Sequence, residues 1–142
     1  MKTNYGTIDA IMSTLERMSG LTGDAGYAIA KTKRYIRPEV DVFRELRDNL
    51  VKKYGTEKAD GNIAVMPDSP NWPAFAKEYG ELFDHEVEAE LYQLDRFDID
   101  ALRCDNASAH DYDIFEQFMV RKGGGADDKP AESGTDKDDD GR

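Results

Sequence analysis

Cysteine is nearly absent from this chain: Cys104 stands alone, so no disulfide can form within it. A lone thiol suits a reducing compartment. Long apolar runs are missing too. No stretch approaches the ~20 apolar residues of a membrane-spanning helix, and the opening MKTNYGTIDA holds no apolar segment of signal-peptide length. These absences predict a protein made and kept in the cytoplasm, without a membrane phase. Histidine is equally scarce. His85 and His110 sit on different predicted elements, whereas a hydrolytic metal centre needs two or three ligands on one rigid frame. Each reads as a surface or helix-end residue.

Excess positive charge is the next absence. The net charge is −11, which argues against phosphate-backbone binding as the main task. The charge is unevenly laid out. Residues 1–58 carry 11 Lys and Arg against 8 Asp and Glu, a net of +3. Residues 59–122 carry 5 against 15, a net of −10, and the last twenty carry 3 against 7, a net of −4. A basic half and an acidic half can attract one another within the fold, or the acidic half can meet a basic partner.

With 142 residues, 39% of them hydrophobic and 35% charged, the chain can bury the modest core of one domain and carry a polar appendage. The spacing predicts an α+β fold, mainly helical. Ile8, Ile11, Met12, Leu15 and Met18 recur at helical period over residues 8–19, with Thr7 as the expected N-cap. Asp24 then caps a long helix whose apolar line runs Ala25, Ala28, Ile29, Tyr35, Ile36, Val40, Phe43, Leu46, Leu50 and Tyr54, up to Gly55. Pro38 interrupts it. A proline removes one donor and crowds the carbonyl of Arg34, but the line stays in phase across it, so one kinked helix is expected.

Asp60-Gly61-Asn62 marks the tip of a small hairpin with Ile63-Ala64-Val65 on its return. A third helix starts near Ser69–Pro73, with Trp72, Phe75, Tyr79, Leu82 and Phe83 on an aromatic face; Gly80 inside it suggests close packing or an early end. In EVEAELYQLD, Val87, Ala89 and Leu91 alternate with Glu86, Glu88 and Glu90, which is the period of a strand with one wet face. Phe97 and Ile99 read as irregular chain or a helical turn near Leu102. Ser108 with Asp111 fits the start of a last helix carrying Tyr112, Ile114, Phe115, Phe118 and Met119. Residues 1–122 thus form the expected domain. Residues 123–142 hold no large apolar side chain and read as a flexible acidic tail.

The reactive groups do not assemble into a catalytic set, so neither an enzyme nor a cofactor is implied. DKDDDG at Asp136–Gly141 matches half a calcium loop but lacks the glutamate six residues beyond its glycine. Cys104 lies among acids, which disfavours the thiolate. Gly123–Gly125 lacks the lysine-and-helix context of a phosphate loop. Lys31, Lys33, Arg34 and Arg37 form a basic strip near Tyr27 and Tyr35, yet the expected helical phase turns both rings toward the apolar line, and nucleic acid is disfavoured. The remaining candidates are carboxylates: Glu86, Glu88, Glu90, Asp95, Asp98 and Asp100. Same-side strand residues stand about 6.5–7 Å apart, near the phosphate spacing of a nucleic-acid strand, so they are candidate partner-binding residues.

Taken in order, Ala28-Ile-Ala-Lys31, LVKKYG at Leu50–Gly55, DGNI at Asp60–Ile63, the Phe75–Leu82 helix with its EVEAEL strand, and the closing SAHDYDIFEQFMV resemble a family of small, functionally uncharacterised proteins of tailed phages and prophages, over about residues 7–120. Pro38 and the segment Leu102–Ala107 depart from that pattern. The resemblance transfers no catalytic residue. It implies a phage or prophage accessory protein acting in the bacterial host cytoplasm through protein–protein contact, in virion assembly or a related role. The partner is then a phage structural protein or a host enzyme. The alternative is an acidic inhibitor that imitates nucleic acid in a host defence nuclease. A further copy of the chain is a third class of partner, since a small sheet exposes an edge.

Overall fold

The computed structural model describes residues 1–95 and 104–121; the expected tail, the Phe97–Leu102 segment, Asp98 and Asp100 lie outside them. The element order is β1 (Lys2–Asn4), α1 (Tyr5–Arg17), α2 (Gly23–Tyr54), β2 (Thr56–Glu57), β3 (Ile63–Ala64), α3 (Trp72–Phe83), β4 (Glu86–Glu88) and α4 (Ala109–Met119). The fold is α+β and mainly helical, as the sequence spacing predicts. Among the described residues, no helix is long and apolar enough to cross a membrane.

The described residues divide into two compact units, one of Met1–Met12 with Arg34–Glu90 and the other of Ser13–Lys33 with residues 91–95 and 104–121. The first buries Tyr5, Ile8, Ile11, Met12, Ile36, Val40, Phe43, Phe75, Val87 and Ala89. Its aromatic rings form a continuous run along α3. Trp72 and Phe75 have centroids 5.7 Å apart, as do Phe75 and Tyr79, and Tyr79 reaches Phe43 of α2 at 6.3 Å. Such offset and edge contacts add to the burial of each ring.

In the same unit β1 pairs antiparallel with β4, in the register Lys2 with Glu88, Thr3 with Val87 and Asn4 with Glu86. Sequence spacing does not reveal β1, because its three residues carry no apolar alternation. The cap of α1 differs from the expectation for the same reason. Asn4, at the end of β1, accepts a hydrogen bond on its side chain from the Thr7 N–H at 2.8 Å, so the helix begins at Tyr5 and Thr7 lies inside it. The ring of Phe83 lies over Gly6, where an added Cβ would meet it at 2.1 Å, and only glycine admits that approach.

β2 and β3 form the expected hairpin, with Gly61 at φ 86° in its tip. α3 runs through Gly80 to Phe83, and an added Cβ on Gly80 would meet nothing within 4 Å. The glycine therefore marks neither close packing nor an early end. α2 also continues unbroken through Pro38, as one helix.

The second unit buries Leu15, Met18, Ala25, Ala28, Ile29, Leu94, Phe115 and Met119. Leu94 docks beside the end of α4: its N–H donates to the Met119 carbonyl at 2.8 Å, and its carbonyl accepts from the Arg121 N–H at 2.7 Å. α4 opens with the capping box that Ser108 and Asp111 predict.

Candidate functional site

Strand alternation holds over Glu86–Glu88, where Val87 is buried between two exposed glutamates, but it stops there. Ala89 is buried and Glu90 exposed beyond the strand, and Leu91, expected on the buried face, is only half-buried. What the sequence does not show is the cation opposite. β1 brings Lys2 Nζ to 3.7 Å from Glu86 and the Met1 ammonium to 2.9 Å from Glu88. That ammonium holds the Glu88 carboxyl below its usual range. In the second unit Asp95 is paired with Arg121. Of the four described candidates, only Glu90 has no cation partner among the described residues. Two of the three glutamates thus stand beside a cation of β1, which reduces the field they offer a basic channel.

The basic strip differs from its expectation. Tyr27 is 54% exposed and Tyr35 37% exposed, so both rings lie off the buried line of α2. That line passes through Thr32, which is fully buried. Its hydroxyl donates to the Tyr92 carbonyl at 3.3 Å and accepts from the Tyr92 N–H at 2.9 Å. A polar residue thus holds the position where the period was sought in tyrosines. In the second unit, Tyr27 meets Tyr92 edge-on at 5.1 Å, and Lys31 Nζ lies 5.9 Å from the Tyr27 centroid. Arg34 and Arg37, in the first unit, are exposed.

Asp111 has more to do than close a capping box. Its side chain is 1% exposed and accepts from Arg17 Nε at 2.8 Å, Arg17 Nη2 at 2.6 Å, the Thr14 hydroxyl at 3.1 Å and the Ser108 N–H at 3.0 Å. The Arg17 fork, foremost, holds this carboxyl well below the usual range, against the opposing effect of burial. With its lone pairs filled, it clamps α4 to α1 and has no capacity left to accept a substrate proton. Cys104 is no nucleophile in waiting either: burial, then Asp105, pushes its thiol up. Among the described residues, no group of three His, Cys, Asp or Glu side chains stands close enough to hold a metal ion. His85 stacks on Tyr5 at 5.1 Å, and His110 sits exposed in the first turn of α4.

The feature that sequence reading missed is a groove in the first unit, between the C-terminal half of α2 and α3. It has a volume of about 280 Å³. Leu46, Leu50 and Leu82 give it an apolar floor, and Asn49, Lys53, Glu78 and Glu81 stand around it. Leu46 remains 42% exposed, and Val42, one turn earlier on α2, 44%. The sequence line treats Leu46 and Leu50 as core. The signal for the groove was present in Val42, Leu46 and Leu50, a second apolar line at i, i+4 and i+8 beside the buried one.

One wall of the groove is fixed. The Tyr54 hydroxyl donates to Glu78, whose carboxyl is held low by that bond and by Lys53, 3.3 Å away. Asn71 Nδ2 donates to the Tyr54 carbonyl at 3.1 Å and ties the start of α3 to the end of α2. Glu81 makes no ion pair among the described residues. The groove therefore offers an open hydrocarbon floor beside one unspent carboxylate. No protein-family model, curated protein or solved structure matches this chain.

Proposed function

We propose that the chain is a non-enzymatic accessory protein of a phage or prophage, acting in the bacterial cytoplasm by protein–protein contact, in virion assembly or a related step. The observation that carries the reading is the α2–α3 groove. A folded unit that buries Phe43, Val40 and Ile36 nevertheless leaves Val42 and Leu46 in water, along one line of the same helix. Exposed apolar side chains arranged over a concavity gain most when a partner covers them. The phage origin is supported by the order of sequence features from Ala28 to Val120. Contact in place of chemistry is supported by the state of the polar groups. Asp111 is saturated, the Cys104 thiol is protonated at neutral pH, and Glu86, Glu88 and Asp95 are spent on internal cations.

Affinity capture of the full chain from phage-producing bacteria tests this. The expected result is recovery of a virion structural protein, reduced at least tenfold by Leu46→Asp on a chain that still melts cooperatively. Recovery of host enzymes alone, undiminished by Leu46→Asp and abolished by Glu90→Lys, would overturn it in favour of the acidic strand.

A further inference from the structure

We infer that the occupant of the α2–α3 groove is an amphipathic helix of a second protein, aliphatic on one face and carrying Lys or Arg along the flank that meets α3. The inference rests on the reading of the groove as a contact surface and specifies the chemistry of what fills it.

Three features of the groove select this partner. Its long walls are two helices, and a cleft between helices accepts side chains projected at i, i+3, i+4 and i+7 from a third. Its floor is aliphatic, from Leu46, Leu50 and Leu82, so hydrocarbon that covers it removes apolar surface from water, which is the main gain on docking. Its charge is directional. Lys53 is spent on Glu78 and lies 5.0 Å from the Tyr54 centroid, so the wall cation is satisfied within the chain. Glu81 on α3 is exposed and makes no ion pair among the described residues. A basic side chain on the partner gives Glu81 a direct ion pair that it lacks among the described residues.

The same features disfavour the other occupants. A second copy of the chain, docked by a two-fold axis, sets this rim against itself and brings no lining cation but Lys53, already paired with Glu78, on a molecule of net charge −11. A nucleic acid would meet an acidic rim and a floor without aromatic platforms.

The test uses the full chain as bait for a displayed library of 20-residue helical peptides with randomised faces, followed by anisotropy titration of the enriched peptides. Enriched sequences are expected to show aliphatic residues at i, i+3 or i+4, and i+7, with an excess of Lys and Arg over Asp and Glu. Their affinity is expected to fall at least tenfold with Leu46→Asp and about tenfold with Glu81→Lys, and to be unchanged by Glu90→Lys, which does not line the groove. The Glu81→Lys loss should shrink as salt is raised. Enrichment without helical period, without a basic excess, or with affinities indifferent to Leu46→Asp and Glu81→Lys overturns the inference. So does a concentration-dependent dimer that Leu46→Asp dissolves. The underlying contact reading fails separately, when capture is undiminished by Leu46→Asp; a partner lost with Leu46→Asp while the library yields no basic helix leaves the contact and removes the helix.

Discussion

Asp111 shows how one residue can be read correctly and still incompletely. Its place three residues after Ser108 announces a capping box, which is a local rule and needs only local sequence. Its bonds to Arg17 and Thr14, more than ninety positions away, obey no local rule. Buried and doubly forked by arginine, it is also where pH acts on stability. Its folded pKa lies below the ordinary aspartate value near ~3.9. The ionised pair therefore stabilises the fold at every pH above that value and is lost progressively as pH falls below it. Asp111→Asn should destabilise the chain by roughly 2–3 kcal/mol at neutral pH, since it leaves a partly buried guanidinium unpaired. It should also flatten the fall in stability between about pH 5 and pH 2. Chemical denaturation at a series of pH values checks both. A variant with wild-type stability and an unchanged acid limb would show that the clamp is not where the acid sensitivity resides.

At the scale of elements, legibility followed length and period. α2 was readable along its length because its buried line persists for many turns, although it opens at Gly23 and holds Asp24 in its first turn and not at its cap. The hairpin was readable because Gly61 sits where a tight turn needs a positive φ. β1 was not readable, since three polar residues have no period; it exists because β4 offers it a ladder and Val87 beneath that ladder is buried. Tyr27 and Tyr35 were misplaced for a different reason. Aromatic residues were assigned to the apolar line where Thr32, satisfied by the Tyr92 main chain, takes the position.

Pro38 lies in the interior of α2. An interior proline costs about 3 kcal/mol through the lost donor and the crowded carbonyl, and here the helix continues through it. Pro38 is exposed, so Pro38→Ala touches little else and should raise stability by about 1–3 kcal/mol, seen as a higher Tm. A lower Tm would mean that neighbouring contacts are fitted to the proline and that the simple accounting fails.

For the molecule as a whole, the asymmetry of charge was legible and its use was not. Arg17 with Asp111, Lys53 with Glu78 and Lys2 with Glu86 each join the basic first part of the sequence to the acidic second part, so much of the opposition is satisfied within the chain. Of the carboxylates that drew notice in the sequence, Glu86 and Glu88 of β4 and Asp95 face a cation, and Glu90 has none among the described residues. The surface with an unmet demand is the groove with Leu46 and Glu81, which composition alone does not mark. The most direct measurement of its role is site-specific photo-crosslinking in phage-producing bacteria, with benzoylphenylalanine placed at Leu46 and, as control, at the exposed Ile63 of the hairpin. A discrete adduct with one protein from position 46, absent from position 63 and lost when Glu81→Lys is added, is the predicted result. No adduct from position 46, or the same adducts from both positions, would contradict the account.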